Sequence, residues 1–203
     1  MTTSGQNILN RLIEQAKSPR GFLGSIMLGI MNRAHEGMNR WALELNPVQA
    51  GSVILDVGCG GGRAIQNLSR INPKGKICGI DYSHQAVTDS IRNNKEKVEQ
   101  GIVEIRQASV SEVPYSKEYF DLITAFQTHY FWPDLEHDIS ELHRVLKPSG
   151  QLMIVSEQYK MNYHMKNYES QHDMLHLLER SGFRDVSVFE KEKRGWLCFL
   201  AIK

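Results

Sequence analysis

Where the apolar run Val53–Val57 stops, the chain reads Gly58-Cys59-Gly60-Gly61-Gly62, with Asp56 just ahead of the first glycine. From Arg63 to Leu68 it resumes at helical spacing. Strand, glycine turn and helix in that order let backbone approach a ligand at the carboxyl end of a first strand, as in the nucleotide sites of open α/β sheets. The dinucleotide fingerprint G-x-G-x-x-G does not fit. Counted from Gly58 and Gly60 its third position is Arg63, and counted from Gly60 and Gly62 it is Ile65. A second acid, Asp81, ends the next apolar run, Lys76–Asp81. A carboxylate there accepts from both hydroxyls of a ribose, whichever nucleotide carries it. A third cluster, Gln127-Thr128-His129-Tyr130-Phe131-Trp132-Pro133-Asp134, follows the apolar run from Leu122 to Phe126. It gathers an amide, an imidazole, hydroxyls and aromatic rings where the topological switch of such a sheet puts reacting atoms. An imidazole exchanges protons near neutral pH, and aromatic faces stabilise a cation.

Elements that position these groups follow from periodicity. Ile8, Leu9, Leu12 and Ile13 predict an amphipathic helix over residues 6–17. The apolar stretch Phe22 to Met31 and the segment Asn32 to Leu43 predict further helix, ending near Asn46-Pro47. Residues 1–49 are thus a helical segment ahead of a sheet domain spanning 50–203. The segment serves either as packing for the sheet flank or as a lid, and His35 faces a pocket only on the second reading. Its glycines weaken the helix, and Met27, Met31 and Met38 give it a soft apolar surface. Later elements are a helix from His84 to Val98 capped by Ser83, a strand from Ile102 to Arg106, a helix from Leu135 to Leu146, and a strand from Gln151 to Ser156. Residues 157–168 show no period. A helix over 169–181 is followed by two strands, Phe183 to Phe189 and Trp196 to Ile202, joined by the turn Lys191 to Gly195.

Four phrases agree in order with one family. Asp56-Val57-Gly58-Cys59-Gly60-Gly61-Gly62, Val113-Pro114-Tyr115, Phe120-Asp121-Leu122 and Arg144-Val145-Leu146-Lys147-Pro148-Ser149-Gly150 resemble the motifs of class I methyltransferases that use S-adenosylmethionine (SAM). The resemblance covers roughly residues 50–203 and lies closest to the small-molecule branch that includes ubiquinone and menaquinone biosynthesis. It implies a Rossmann-like α/β fold: a seven-stranded, mostly parallel sheet with an antiparallel last strand, plus an N-terminal helical lid. The implied cofactor is SAM, held by Asp56, Gly58, Cys59, Gly60, Asp81, Tyr82, Ser109, Val110, Phe126 and Gln127. The glycine turn would lie against the amino-acid end of SAM, and Tyr82 would pack on the adenine. Ser109 departs from the family, where many members carry Asp. The implied reaction is methyl transfer to a small-molecule acceptor through O, N, S or C. His129 is the first candidate base, His35 the second, and Tyr130 an orienting group. The run after Phe126 lacks the Asn/Asp-Pro-Pro-aromatic signature of amino-methylating nucleic-acid enzymes and the paired glutamates of protein-arginine enzymes. No metal set is expected.

Composition narrows the field further. A net charge of +1 over 203 residues gives no case for nucleic-acid binding. Cys59, Cys78 and Cys198 fit neither a zinc pattern nor a closed disulfide framework, so reduced thiols in the cytoplasm are expected. No stretch reaches the ~20 apolar residues of a membrane span. The oligomeric state, monomer or homodimer, stays open. The alternatives are a SAM-binding regulatory protein without transferase activity and, against the glycine spacing, an NAD(P)-linked oxidoreductase.

Overall fold

A computed structural model of the protein describes residues 36–165, 167–168 and 170–203. The first predicted helix, the Phe22 to Met31 stretch and His35 lie outside the described residues. Residues 36–45 are helical and form α1. The strands are β1 (Val53–Val57), β2 (Lys76–Asp81), β3 (Val103–Gln107), β4 (Phe120–Phe126), β5 (Leu146–Glu157), β6 (Arg184–Lys191) and β7 (Trp196–Ile202). The further helices are α2 (Arg63–Ile71), α3 (His84–Asn93), α4 (Lys95–Glu99), α5 (Leu135–Val145), α6 (Gln158–His164) and α7 (Gln171–Arg180).

All seven strands join one sheet in the order β3-β2-β1-β4-β5-β7-β6. Strands β1 to β5 pair in parallel, and β7 runs antiparallel to both β5 and β6. The expected sheet with its antiparallel last strand is therefore present. Apolar residues continue along β1 because both faces of a parallel sheet are covered. Leu55 and Val57 pack on one face with Ile139 and Leu142 of α5 and with Met174 and Leu177 of α7. Ile54 packs on the other with Met38 and Ala42 of α1 and with Ile65 and Leu68 of α2. Strand β1 pairs with β2 on one side and β4 on the other, so the chain reverses direction across the sheet at β1/β4. The carboxyl ends of these strands frame the site.

The family phrases away from the glycine turn hold this frame together. One carboxylate oxygen of Asp121 accepts from the Val53 amide at 2.8 Å, and the other accepts from Lys147 Nζ at 2.8 Å. Arg144 donates to the Val113 and Tyr115 carbonyls at 3.1 Å each, while Glu141 accepts from the Val113 amide at 2.9 Å. The loop after β3 is thereby clamped to α5.

Three expectations need correction. The single helix from His84 to Val98 is two helices, because the buried Asn94 side chain donates to the Gly62 and Ser90 carbonyls and breaks the run. Strand β5 starts at Leu146, not Gln151. Pro148 and Gly150 read as a turn, yet they form an irregular stretch of strand where the pairing jumps from Phe120↔Leu146 to Leu122↔Gln151, tied to Lys203 through the Ser149 amide and the Gly150 carbonyl. Residues 157–168 contain α6, whose period is invisible because Met161 is its only buried side chain.

Candidate active site

The turn after β1 is fixed from below. The Gly58 and Cys59 amides donate to the Ile80 carbonyl of β2 at 2.8 and 3.0 Å. Gly58 has φ +69°, and a Cβ there would stand 2.2 Å from Thr128 Oγ1. The residues after β4 thus close directly on the first glycine. The Cys59 thiol is buried among α2 side chains, and burial pushes its pKa well up, which leaves it inert as a nucleophile.

Asp81 accepts from the Gly60 amide through Oδ2 and from the Ser83 amide through Oδ1, both at 2.9 Å. Each carboxylate oxygen retains acceptor capacity for a ribose hydroxyl. Burial raises the Asp81 pKa against the pull of those two amides. Ser83 caps α3 by accepting from the Ala86 amide, the structural role expected of it. The Tyr82 side chain is 75% exposed at the rim. Ser109 Oγ accepts from the Ser111 amide at 3.1 Å, and Val110 beside it is buried.

Asp56 points to the α1/α2 face, where Thr124 Oγ1 donates to it at 2.9 Å. Burial raises its pKa from 3.8 to about 7, the Thr124 hydroxyl opposes this, and the Asp81 charge adds to it. Thr124 is a site residue that the sequence reading missed. Its signal was legible, a lone hydroxyl within the buried run Leu122 to Phe126.

At the end of β4, Phe126 packs against the α1/α2 core and Gln127 turns the chain with φ +61°. A 3-10 turn, His129–Phe131, follows. Thr128 Oγ1 accepts from the Trp132 indole at 3.3 Å. Tyr130 donates to Gln127 Oε1 at 2.8 Å, stacks on His164 of α6, and its phenol is raised well above its usual range by burial. His129 is 1% exposed, and neither ring nitrogen finds a hydrogen-bond partner among the described residues. Burial lowers its pKa to about 3, so the imidazole is neutral. Phe131 and Trp132 pack against the α5/α7 core. Lys160 escaped the sequence reading because it sits on the helix whose period was hidden.

The arrangement brings Asp56, Gly58, Gly60, Asp81, Gln127, His129 and Tyr130 to one end of the sheet. Its donor set, a glycine turn with two carboxylates and aromatic neighbours, fits an adenosyl cation. Residues 55–154 match the family model described as a methyltransferase domain. The chain is 24% identical over 160 residues to the uncharacterized methyltransferase YdaC of Bacillus subtilis, covering 78% of this chain and 86% of that protein. It is 27% identical over 159 residues to a demethylmenaquinone methyltransferase of Listeria welshimeri, covering 76% of this chain and 64% of that one. A crystal structure of a SAM-dependent methyltransferase from Aquifex aeolicus superposes with a TM-score of 0.69 at 25% identity, covering 81% of this chain and 88% of its own. Strand order, glycine turn and these likenesses agree: the chain belongs to the class I SAM-dependent methyltransferases.

Proposed function

We propose that the protein methylates a small-molecule acceptor. The observation that carries this is the enclosure of the carboxyl end of β4. Gln127, His129 and Tyr130 are all buried beneath neighbouring elements, whereas a polymer would need an open trough. The likeness to a demethylmenaquinone methyltransferase supports a small acceptor, although the chain spans only 64% of that protein's length.

When bound, SAM supplies a methyl carbon activated by its sulfonium, which the acceptor attacks in line as the carbon–sulfur bond breaks and S-adenosylhomocysteine (SAH) leaves. Asp81 would hold the ribose hydroxyls, and the Gly58 to Gly60 turn would lie along the amino-acid end. Cys59, Tyr82, Ser109, Val110, Phe126 and Gln127 would complete the cofactor's surroundings. The neutral His129 imidazole accepts the acceptor's proton where there is one to lose, and Tyr130 sets the orientation. His35 is the alternative base. Holding the two reactants in register provides much of the acceleration. Incubating a metabolite extract with labelled SAM and the protein should yield one dominant labelled product by mass spectrometry. His129→Ala should lower its formation at least a hundredfold. Unchanged turnover removes His129 as the base. SAM binding with no product would favour a regulatory binder.

The Asp56 environment predicts a pH dependence. Its folded pKa of about 7 lies above the ordinary 3.8. The stability this brings is fully present below the unfolded value and is lost as pH rises through 7, a loss on the order of 4 kcal/mol. A cationic ligand beside Asp56 favours the ionised carboxylate. SAM binding should therefore release a proton near pH 6 and tighten between pH 5.5 and 7.5. Calorimetry in buffers of different ionisation enthalpy measures both. A flat profile, or one that persists in Asp56→Asn, contradicts the prediction.

A further inference from the structure

Gln127 is out of place by local rules. It is a buried, non-glycine residue with φ +61°, a conformation that L side chains adopt only when their surroundings impose it. What imposes it is visible around the amide. Oε1 accepts from Lys160 Nζ of α6 at 2.6 Å and from Tyr130 of the 3-10 turn at 2.8 Å. Nε2 lies 3.2 Å from Met38 Sδ of α1. Lysine has only donors, so the atom facing it is the carbonyl oxygen, and the amide orientation is settled. The backbone amide donates to the Val155 carbonyl of β5 at 2.8 Å. Glu157, at the end of β5, pairs with Lys160 at 2.7 Å and keeps its ammonium beside the amide.

We infer that Gln127 is a clasp: one side chain fastens α1, the 3-10 turn and α6 to the end of β4, and its release opens the site. The three elements come from separate parts of the chain. Among the described residues, the hydrogen bonds and ion pairs of α1 and α6 apart from Gln127 go to different residues. Glu36 of α1 pairs with Arg63 of α2 at 3.0 Å, and the Gln158 amide at the start of α6 donates to the Gly195 carbonyl at 2.9 Å. The side chain itself is spent on these contacts, so Gln127 acts as a positioning residue. Through Thr128, the next residue, the clasped turn also lies against Gly58. Opening the clasp therefore loosens the wall over the cofactor along with the enclosure beyond it. That the enclosure is the acceptor site rests on the proposed function, whereas the clasp can be tested without any acceptor.

Gln127→Leu keeps the bulk and removes both polar functions. Gln127→Glu keeps two acceptor oxygens for Lys160 and Tyr130. Two measurements are compared with wild type: amide hydrogen exchange over residues 36–45 and 158–164, and stopped-flow SAH binding read by tryptophan fluorescence. In Gln127→Leu, exchange in both segments should rise at least tenfold while β1 and β2 stay protected. Association and dissociation rates of SAH should rise together, each threefold or more, because a gate speeds passage in both directions. Gln127→Glu should restore protection over 158–164, and Lys160→Met should loosen that segment alone. A rise in dissociation rate only would mean that the side chain is a plain ligand contact, and exchange unchanged in both segments would overturn the clasp. If Gln127→Leu does not fold, Lys160→Met and Tyr130→Phe each remove one arm. Unchanged exchange over 158–164 in both then overturns it. Loss of turnover in His129→Ala bears only on the proposed base.

Discussion

Replacing Asp81 with Ala is expected to cost about 2 kcal/mol of stability and to weaken SAH binding about a hundredfold. The first effect comes from the Gly60 and Ser83 amides, which lose their acceptors at 2.9 Å within a largely buried turn. Each orphaned amide costs about 1–3 kcal/mol, and removal of a carboxylate that burial already disfavours returns part of it. The second effect adds loss of the acceptors for the ribose hydroxyls to misplacement of the turn beside them. Asp81→Asn separates the two. Its carbonyl can serve one amide, but its NH2 group faces the other, so the turn is partly kept while the bidentate ribose contact is gone. Thermal unfolding and calorimetric titration with SAH measure the pair. Lower stability with unchanged SAH affinity would show that the carboxylate serves the turn alone.

That prediction rests on residues whose meaning was local. Val53–Val57, the glycines after it and Asp81 at the end of the next strand were legible because strand period, glycine chemistry and strand-end position all lie within a short window. The mostly parallel sheet with its antiparallel end was implied by the resemblance and is present, and the phrase around Arg144 proves architectural, its guanidinium clamping the loop after β3. What escaped was set by distant contacts. Lys160 meets Gln127 across 33 positions, on a helix that buries one side chain and so carries no stripe. The start of β5 is decided by Lys203, just past β7, and the break at Asn94 by a carbonyl in the glycine turn. Tyr82 stands exposed at the rim beside Asp81, where its ring is open to a ligand.

The distances around Gly58 lead to the other large effect. Gly58→Ala places a Cβ 2.2 Å from Thr128 Oγ1, 2.8 Å from its Cβ and 3.2 Å from its Cγ2. Backbone at φ +69° adds a penalty of about 1–2 kcal/mol for an L side chain, and the overlap adds about 1–3 kcal/mol. The variant should therefore lose about 2–5 kcal/mol, a fall of roughly 6–15 °C in Tm, and bind SAH at least tenfold more weakly because the turn must shift. All three nearest atoms belong to one side chain, so the overlap can be removed independently. Thr128→Gly deletes them at the expense of the Trp132 indole's acceptor. In the double variant the overlap vanishes and the conformational penalty remains. A double-mutant cycle should then show a favourable coupling of about 1–3 kcal/mol between the two positions. Additive losses would mean that the turn yields and Thr128 does not, which would place the rigidity of this end of the sheet in the 3-10 turn and its clasp rather than in the glycines.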